Sequence, residues 1–429
     1  MRNRVFATLW SVQMVLLLAS SGSALALTLT VFDTSSSVAA LGAVTALSMG
    51  CSIYLAPAIG SVLDGFSRKA GILISNVMIA VSSGLMAISV FQGAPLPIML
   101  LLVFVGAVAT TAQGLSLQAS VRVLRREADL TRINGIVSVV ENAPVFAGPI
   151  VGAIVYSFAQ PAAVFALESL LALCAATIVA AIPWPLAGPS SDRRSPNPVK
   201  GLREGVRFIL TDGDLMRTQG AFAGINFANG ISTPVVTGFV LVGAGGGASN
   251  LVESSRLTAV NIGGALGLLL GATLVVALAS RLKRHSLIIA GIVVGALAGR
   301  VLLPVMTTLL WLVPAFIMRN LCVQLSNAPL TAIWQERTPV PIQGAVFGSR
   351  RILGQGLYPI AVLIGGFMAD SFSEASLSAL EATTLVIVFA GMLELVIGIL
   401  LWRSGALRRL SSSAMPESGD ATQAQVGRE

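Results

Sequence analysis

Apolar residues run along this chain in long unbroken blocks, separated by short polar joints. The blocks cover 7–32, 38–63, 70–91, 96–121, 133–158, 162–183, 216–242, 256–280, 286–305, 308–334, 345–369 and 381–402. A helix needs about 20 residues to cross a hydrocarbon layer about 30 Å thick. Twelve blocks of that length predict an all-α polytopic membrane protein, since a transmembrane β-barrel would show short alternating segments instead. The first block extends from about Val5 to Phe32 and contains Ala24-Leu25-Ala26. It is too long for the apolar core of a signal peptide and reads as the first span.

Composition narrows the class. Of 429 residues, 55% are hydrophobic and 11% charged, where a soluble domain carries about 25% charge. A soluble globular enzyme could not hide so much apolar surface, and disorder, collagen and a disulfide scaffold are excluded on the same ground. The net charge of +8 comes from short basic clusters between blocks, a pattern of membrane orientation and not of nucleic-acid binding. One set of joints carries Arg68 and Lys69; Arg122, Arg125, Arg126 and Arg132; Arg193, Arg194, Lys200, Arg203 and Arg207; Arg281, Lys283 and Arg284; and Arg337. Both termini join that side through Arg2, Arg4, Arg408 and Arg409, while the opposite joints hold Asp33, Glu253, Asp370, Glu374 and Glu381. The basic side is expected to be cytoplasmic, with the protein in the cell membrane. Trp10, Trp184, Trp334 and Trp402 fall at expected cytoplasmic helix ends and Trp311 at an outer one, as an aromatic belt.

The longest joint divides the spans six and six. The expected organisation is a six-helix bundle over 1–183, a cytoplasmic linker over 184–215, a second bundle over 216–403 and a disordered tail over 404–429. Within the linker, Gly201 to Leu210 reads as a short amphipathic surface helix. The halves repeat weakly: Arg132-Ile-Asn-Gly135 opens the fifth span and Pro341-Ile-Gln-Gly344 the eleventh, and each span then reaches a proline, Pro149 or Pro359. Such a repeat implies two similar bundles around a central path. Cys51, Cys174 and Cys322 lie in apolar runs without metal-ligand spacing, and no metal or cofactor is expected.

Three stretches carry mechanism. Gly60-Ser-Val-Leu-Asp64-Gly-Phe-Ser-Arg68-Lys69 ends the second span, with Gly60 and Asp64 on one helix face and a basic anchor after them. The glycine permits close approach of a neighbouring helix. In the fifth span, Gly135 is followed by Gly148-Pro149-Ile-Val-Gly152, a small-residue face in a proline-weakened helix. The fourth span holds Thr110-Thr-Ala-Gln113-Gly114.

The stretch from Gly60 to Lys69 resembles the signature loop of the major facilitator superfamily, in which the aspartate latches the halves together; Gly65 and Ser67 depart from its pattern. The fifth-span glycine series is similar to that superfamily's antiporter motif, with Pro144 and Ala153 where glycines are usual, and implies export by antiport. In the fourth span, Thr110 stands where drug:proton antiporters often carry arginine. From about residue 5 to 403 the chain resembles the drug-efflux branch that includes macrolide-efflux and enterobactin-exporter-like proteins, on strings such as Arg203-Glu-Gly-Val-Arg-Phe208 and Gln335-Glu336-Arg337-Thr-Pro339. The resemblance implies the major facilitator fold, twelve helices in two pseudo-symmetric bundles.

Ionisable groups in hydrocarbon need partners, water or a neutral state. Glu141 lies about two turns into the fifth span, and Arg350 and Arg351 lie at matching depth in the eleventh if Gly135 is aligned with Gly344. These arginines join the gate expectation. Glu141 is the coupling candidate, either changing protonation during the cycle or forming a static pair. Cavity candidates are Gln13, Gln113, Asn142, Asn226, Asn229, Arg319, Gln324 and Asn327, with interhelical hydrogen bonding as their other reading. Arg300 is expected to snorkel from the outer end of the ninth span. Glu168 and Glu394 fall on helices that are peripheral in the superfamily, and Glu394 has no role legible here.

A wall of Leu, Val, Ala, Phe and Met suits a bulky amphiphile better than a sugar. The expectation is a monomeric secondary exporter, binding a small-molecule substrate and a proton or other coupling ion in the lipid bilayer, without nucleic acid. Uptake of a metabolite by symport, and a lipid- or ligand-binding membrane protein that does not pump, are the alternatives. No nucleotide-binding glycine loop or His-based metal site points to an enzyme or an ATP-driven pump.

Overall fold

A computed structural model describes residues 2–63, 66–124, 144, 147–184, 198–242, 250–278, 281–306, 308–339 and 342–412. In chain order its helices are α1 (Arg2–Ser35), α2 (Val38–Gly50), α3 (Ala56–Leu63), α4 (Arg68–Phe91), α5 (Leu96–Leu124), α6 (Ala147–Phe158), α7 (Pro161–Ala181) and α8 (Pro198–Thr211). There follow α9 (Gly213–Val242), α10 (Asn250–Leu278), α11 (Arg284–Ala296), α12 (Leu309–Arg337), α13 (Gln343–Gln355), α14 (Tyr358–Glu374), α15 (Ala379–Ser404) and α16 (Ala406–Ser412). Eleven membrane-length apolar spans result among the described residues, and α6 is the end of the expected span 133–158. Helices are what hydrocarbon permits, because each backbone donor finds its acceptor within the same segment.

Two spans are interrupted. A π-helical turn at Cys51–Leu55 joins α2 to α3, and Gly356 and Leu357 separate α13 from α14. A second π turn, Leu297–Val301, ends the ninth span. Serines start several helices: Ser37, Ser67 and Ser378 each accept a hydrogen bond from a first-turn amide, and Ser378 forms a capping box with Glu381.

The packing repeats between halves. In the first half α4 lies against α5 and α7, and α7 against α1; in the second, α11 lies against α12 and α15, and α15 against α9. Third, fourth, sixth and first helices are thus neighbours in each half, the pseudo-symmetry that the repeat implies. On α15, Leu385, Phe389, Met392, Val396 and Leu400 form an exposed apolar stripe, while Val386, Ile387, Ala390, Glu394 and Leu401 are buried. The chain is therefore apolar outward and mixed inward, as a lipid solvent requires. Two tryptophans depart from the belt: Trp10 and Trp334 are buried, Trp10 with its ring 5.7 Å from that of Phe6. Trp311 and Trp402 are exposed.

Helix α8 lies within the expected linker, and Gly205 and Ile209 on it are buried. The Ser349 hydroxyl of α13 donates to the Leu202 carbonyl at 3.0 Å, tying α8 to the second half. The expected disordered tail is helical over Ala406–Ser412, and 413–429 lie outside the described residues.

The small-residue face of the fifth span meets α1. A methyl group on Gly152 would fall 2.5 Å from Gly22 Cα, and one on Gly148 would fall 2.8 Å from the Leu18 carbonyl oxygen. Backbones touch there, so no side chain can be added without separating the helices. Gly152→Ala should therefore destabilise by about 1–3 kcal/mol, the usual cost of overpacking. The check is a lower thermal midpoint of the detergent-solubilised protein, with Ala153→Gly as the mild control.

Candidate functional site

Among the described residues, the halves are joined by a polar cap at one end. Asp370, near the end of α14, accepts hydrogen bonds from the Ser37 hydroxyl at 2.5 Å and from the Val38 and Ala39 amides at 2.9 and 3.1 Å. A carboxylate thus caps the N-terminus of α2 across the interface, where the helix dipole favours negative charge. Small residues let the helices close behind it: a methyl on Gly366 would meet Ala39 Cα at 2.8 Å, and one on Gly42 the Val362 carbonyl at 3.0 Å. Deeper in, the Tyr54 hydroxyl, in the first π turn, donates to the Gly356 carbonyl left open by the break in the eleventh span. At the other end α3 buries none of its side chains and packs on α5 of its own half among the described residues.

The expected latch residues sit at this open end. Asp64 lies outside the described residues. Among the described residues, a methyl on Gly60 would meet only a Leu115 methyl of α5, at 4.0 Å, so the helix of its own half is the one that faces it. Lys69 donates to the Ala180 and Ile182 carbonyls at 2.8 and 2.9 Å, capping the C-terminus of α7 within its own half. Arg68 begins α4 beside it. Arg350 lies over the rings of Trp334 and Phe347, at 5.2 and 5.8 Å, and Arg351 is exposed. Gly135, Glu141 and Asn142 lie outside the described residues, so the expected pairing of Glu141 with Arg350 does too.

A cavity of about 210 Å³ opens within the second half. Helices α9, α11, α12, α14 and α15 line it with Asn226, Asn229, Arg319, Asn327, Tyr358 and the ion pair of Arg300 with Glu394. Arg300 does not snorkel: it is 2% exposed. The π turn at Leu297–Val301 carries it inward, and Gly391 on α15 leaves the room its Cβ needs. Its guanidinium bonds Glu394, the Asn229 side-chain oxygen and, at 3.0 Å, the Ser232 hydroxyl. Glu394 thereby gains the role that its sequence position left open. Thr233 and Tyr358 share a hydrogen bond of 2.7 Å, and Asn226 donates to the Gly354 carbonyl at 2.9 Å. Gln324 is absent from this lining and turns toward Gly271 on α10.

The first half has a counterpart of about 220 Å³, lined by Ser20, Ser23, Ser48, Ser52, Thr110 and Glu168 among others. Glu168 is buried and accepts from the Ser83 hydroxyl at 2.8 Å. Sequence position on a sixth span did not mark it; a carboxylate in an apolar run was the only signal. Nearby, Gln113 donates to Gln13 and Asn76 at 2.9 and 2.8 Å in a buried amide cluster. Gln13 and Gln113 thus join two helices to a third and are not among the residues lining either cavity.

A sequence profile of the Major Facilitator Superfamily matches residues 9–362. The chain belongs to that superfamily. Macrolide efflux protein A of Streptococcus pyogenes is 24% identical over 389 residues, which is 89% of this chain and 94% of that protein. Its namesake from Enterococcus faecalis is 25% identical over 175 residues, covering 39% of this chain and 54% of that one. Among solved structures, the nucleoside transporter NupG superposes with a TM-score of 0.74 at 14% identity, covering 93% of this chain and 98% of that one. A bacterial homologue of the human lysosomal transporter Spinster, described as inward-facing and unoccupied, gives 0.71 at 13%, covering 96% and 98%. These likenesses establish the superfamily's fold: a multi-pass membrane transporter of two related bundles.

In this superfamily member, Asp370→Asn should weaken the closed end by about 1.5–3 kcal/mol, the value of hydrogen bonds to a charged group. Pulsed electron–electron distances between spin labels at Ser35 and Glu374 should then broaden toward longer separations. Glu394→Leu alone, which strands a buried guanidinium, should cost about 3–5 kcal/mol, whereas Arg300→Met with Glu394→Leu should recover most of it. Thermal midpoints of the two variants decide between pairing and independent roles.

Proposed function

We propose that this protein exports hydrophobic or amphipathic small molecules across the cell membrane by alternating access, driven by an ion gradient, with the proton as the leading candidate ion. The single observation that carries the reading is the one-ended closure among the described residues: Asp370 and the small residues around Gly42 and Gly366 join the halves at one end, and α3 at the other end buries none of its side chains and packs within its own half. The basic joints, including Lys69, Arg284, Arg337 and Arg409, belong to the open end. By the positive-inside rule that end and both termini face the cytoplasm, from which an exporter loads. Relatives named for macrolide efflux favour export over uptake.

Coupling needs a group that alternates between protonated and ionised forms. Glu141 keeps that candidacy from sequence. Glu168 joins it: it is buried, lines the first-half cavity and has a serine hydroxyl as its hydrogen-bond partner, with no ion pair among the described residues. A carboxylate so placed must change state or find a cation when charged.

The test is accumulation of a neutral fluorescent amphiphile in cells with and without the protein. Accumulation should fall several-fold on expression, recover on adding an uncoupler, and recover in Glu168→Gln at unchanged protein level. Higher accumulation on expression would make the protein an importer, and efflux indifferent to the uncoupler would remove proton coupling.

A further inference from the structure

We propose that the second-half cavity holds an anionic group of the cargo, a carboxylate or sulfonate, against Arg319. This assigns a substrate class to the transporter proposed above and rests on that reading for the word cargo, though not for the binding itself.

The charges in the cavity do not balance. Two guanidinium groups and one carboxylate line it. The carboxylate already has a cation: Glu394 pairs with Arg300, which also donates to Asn229 and Ser232. Arg319 has no ion pair or hydrogen bond among the described residues. It stands ten residues into α12, about 15 Å of helix rise from the start of that span. Its stem lies on the second π turn, where a methyl on Gly299 would come within 2.8 Å of Arg319 Cβ and Cγ. A glycine there lets the stem pass, and the guanidinium faces the cavity.

A guanidinium at that depth keeps its charge and needs a counter-charge or water. Hydrocarbon supplies neither. The planar fork of donors matches a carboxylate or sulfonate, whose oxygens accept two parallel bonds. Apolar walls from Phe222, Ile225, Ile292 and Val323 stand beside it for an organic body, and Asn327 and Tyr358 add polar contacts. A cationic amphiphile would meet the Arg319 charge as repulsion, since Glu394 balances Arg300 alone. The site therefore selects an acidic amphiphile and rejects its basic isostere.

Isothermal titration of the purified chain in phosphatidylcholine nanodiscs, in a dilute Tris–phosphate buffer free of chloride, carboxylates and sulfonates, tests this with a matched pair. Naphthalene-1-sulfonate should bind the wild type at least tenfold more tightly than naphthalene-1-methylammonium. Arg319→Gln should lose that preference, and Arg319→Lys, which keeps the charge, should retain most of it. Equal binding of both probes to the wild type, or unchanged sulfonate affinity in Arg319→Gln, overturns the proposal. Displacement of the sulfonate by millimolar chloride would also overturn it, making this a small-anion site; its persistence in phosphatidylcholine excludes an anionic lipid as the source. Energised efflux of a neutral dye separates the two readings. If efflux persists while the charge preference is absent, only the anion site falls; if the preference is present and no gradient drives efflux, only the export reading falls.

Discussion

Hydrocarbon offers no hydrogen bonds and no counter-charge, and that constraint organises this molecule. Backbone groups are met inside each helix, and side chains facing outward on α15 are apolar along its whole exposed stripe. Association between helices then cannot rest on hiding oil from water, since lipid is equally apolar. It rests on contact and on polar pairing. Gly22 against Gly152 is the first kind, and the Gln13, Asn76 and Gln113 cluster the second.

The same constraint explains where the molecule can move. Within each half, backbones touch at glycines and hydrogen-bonded amides cross between helices. Between halves, the seal relies on a carboxylate capping a helix start and on small residues meeting near the membrane surface. Such a contact can open toward water, where Asp370 and the freed amides find other partners. The breaks at Cys51–Leu55 and at Gly356 and Leu357 fall on the two helices that form this seal. A segmented helix can change its end without moving its whole length.

The halves share a packing plan and differ in chemistry. Each encloses a cavity among its first, third, fourth and sixth helices, and each places a glutamate from its sixth helix beside it. In the first half the partner is Ser83; in the second it is Arg300, with Arg319 added. One cavity is therefore acidic and the other basic in formal charge. Two bundles of like packing thus hold cavities of opposite sign.

Eleven of the twelve expected spans stand among the described residues, and their limits were legible in the sequence because length and hydropathy decide them locally: the expected 38–63 is the observed Val38–Leu63. The small-residue face at Gly148 and Gly152 was legible for the same reason, as spacing on one helix. The partners of charged groups were not. Arg300 looked like a snorkelling residue because it lies near a span end, and only the π turn and the space over Gly391 bring it to Glu394. Lys69 looked like part of a latch between halves, yet carbonyls at the end of α7 accept its hydrogen bonds. Asp370 read as an ordinary outer-loop acid until α2 was placed opposite it. Periodicity within one helix fixes which side of that helix is which; it cannot say which other helix arrives there, at what depth or with what charge. Those answers depend on contacts between segments hundreds of residues apart, and the tertiary structure alone decides them.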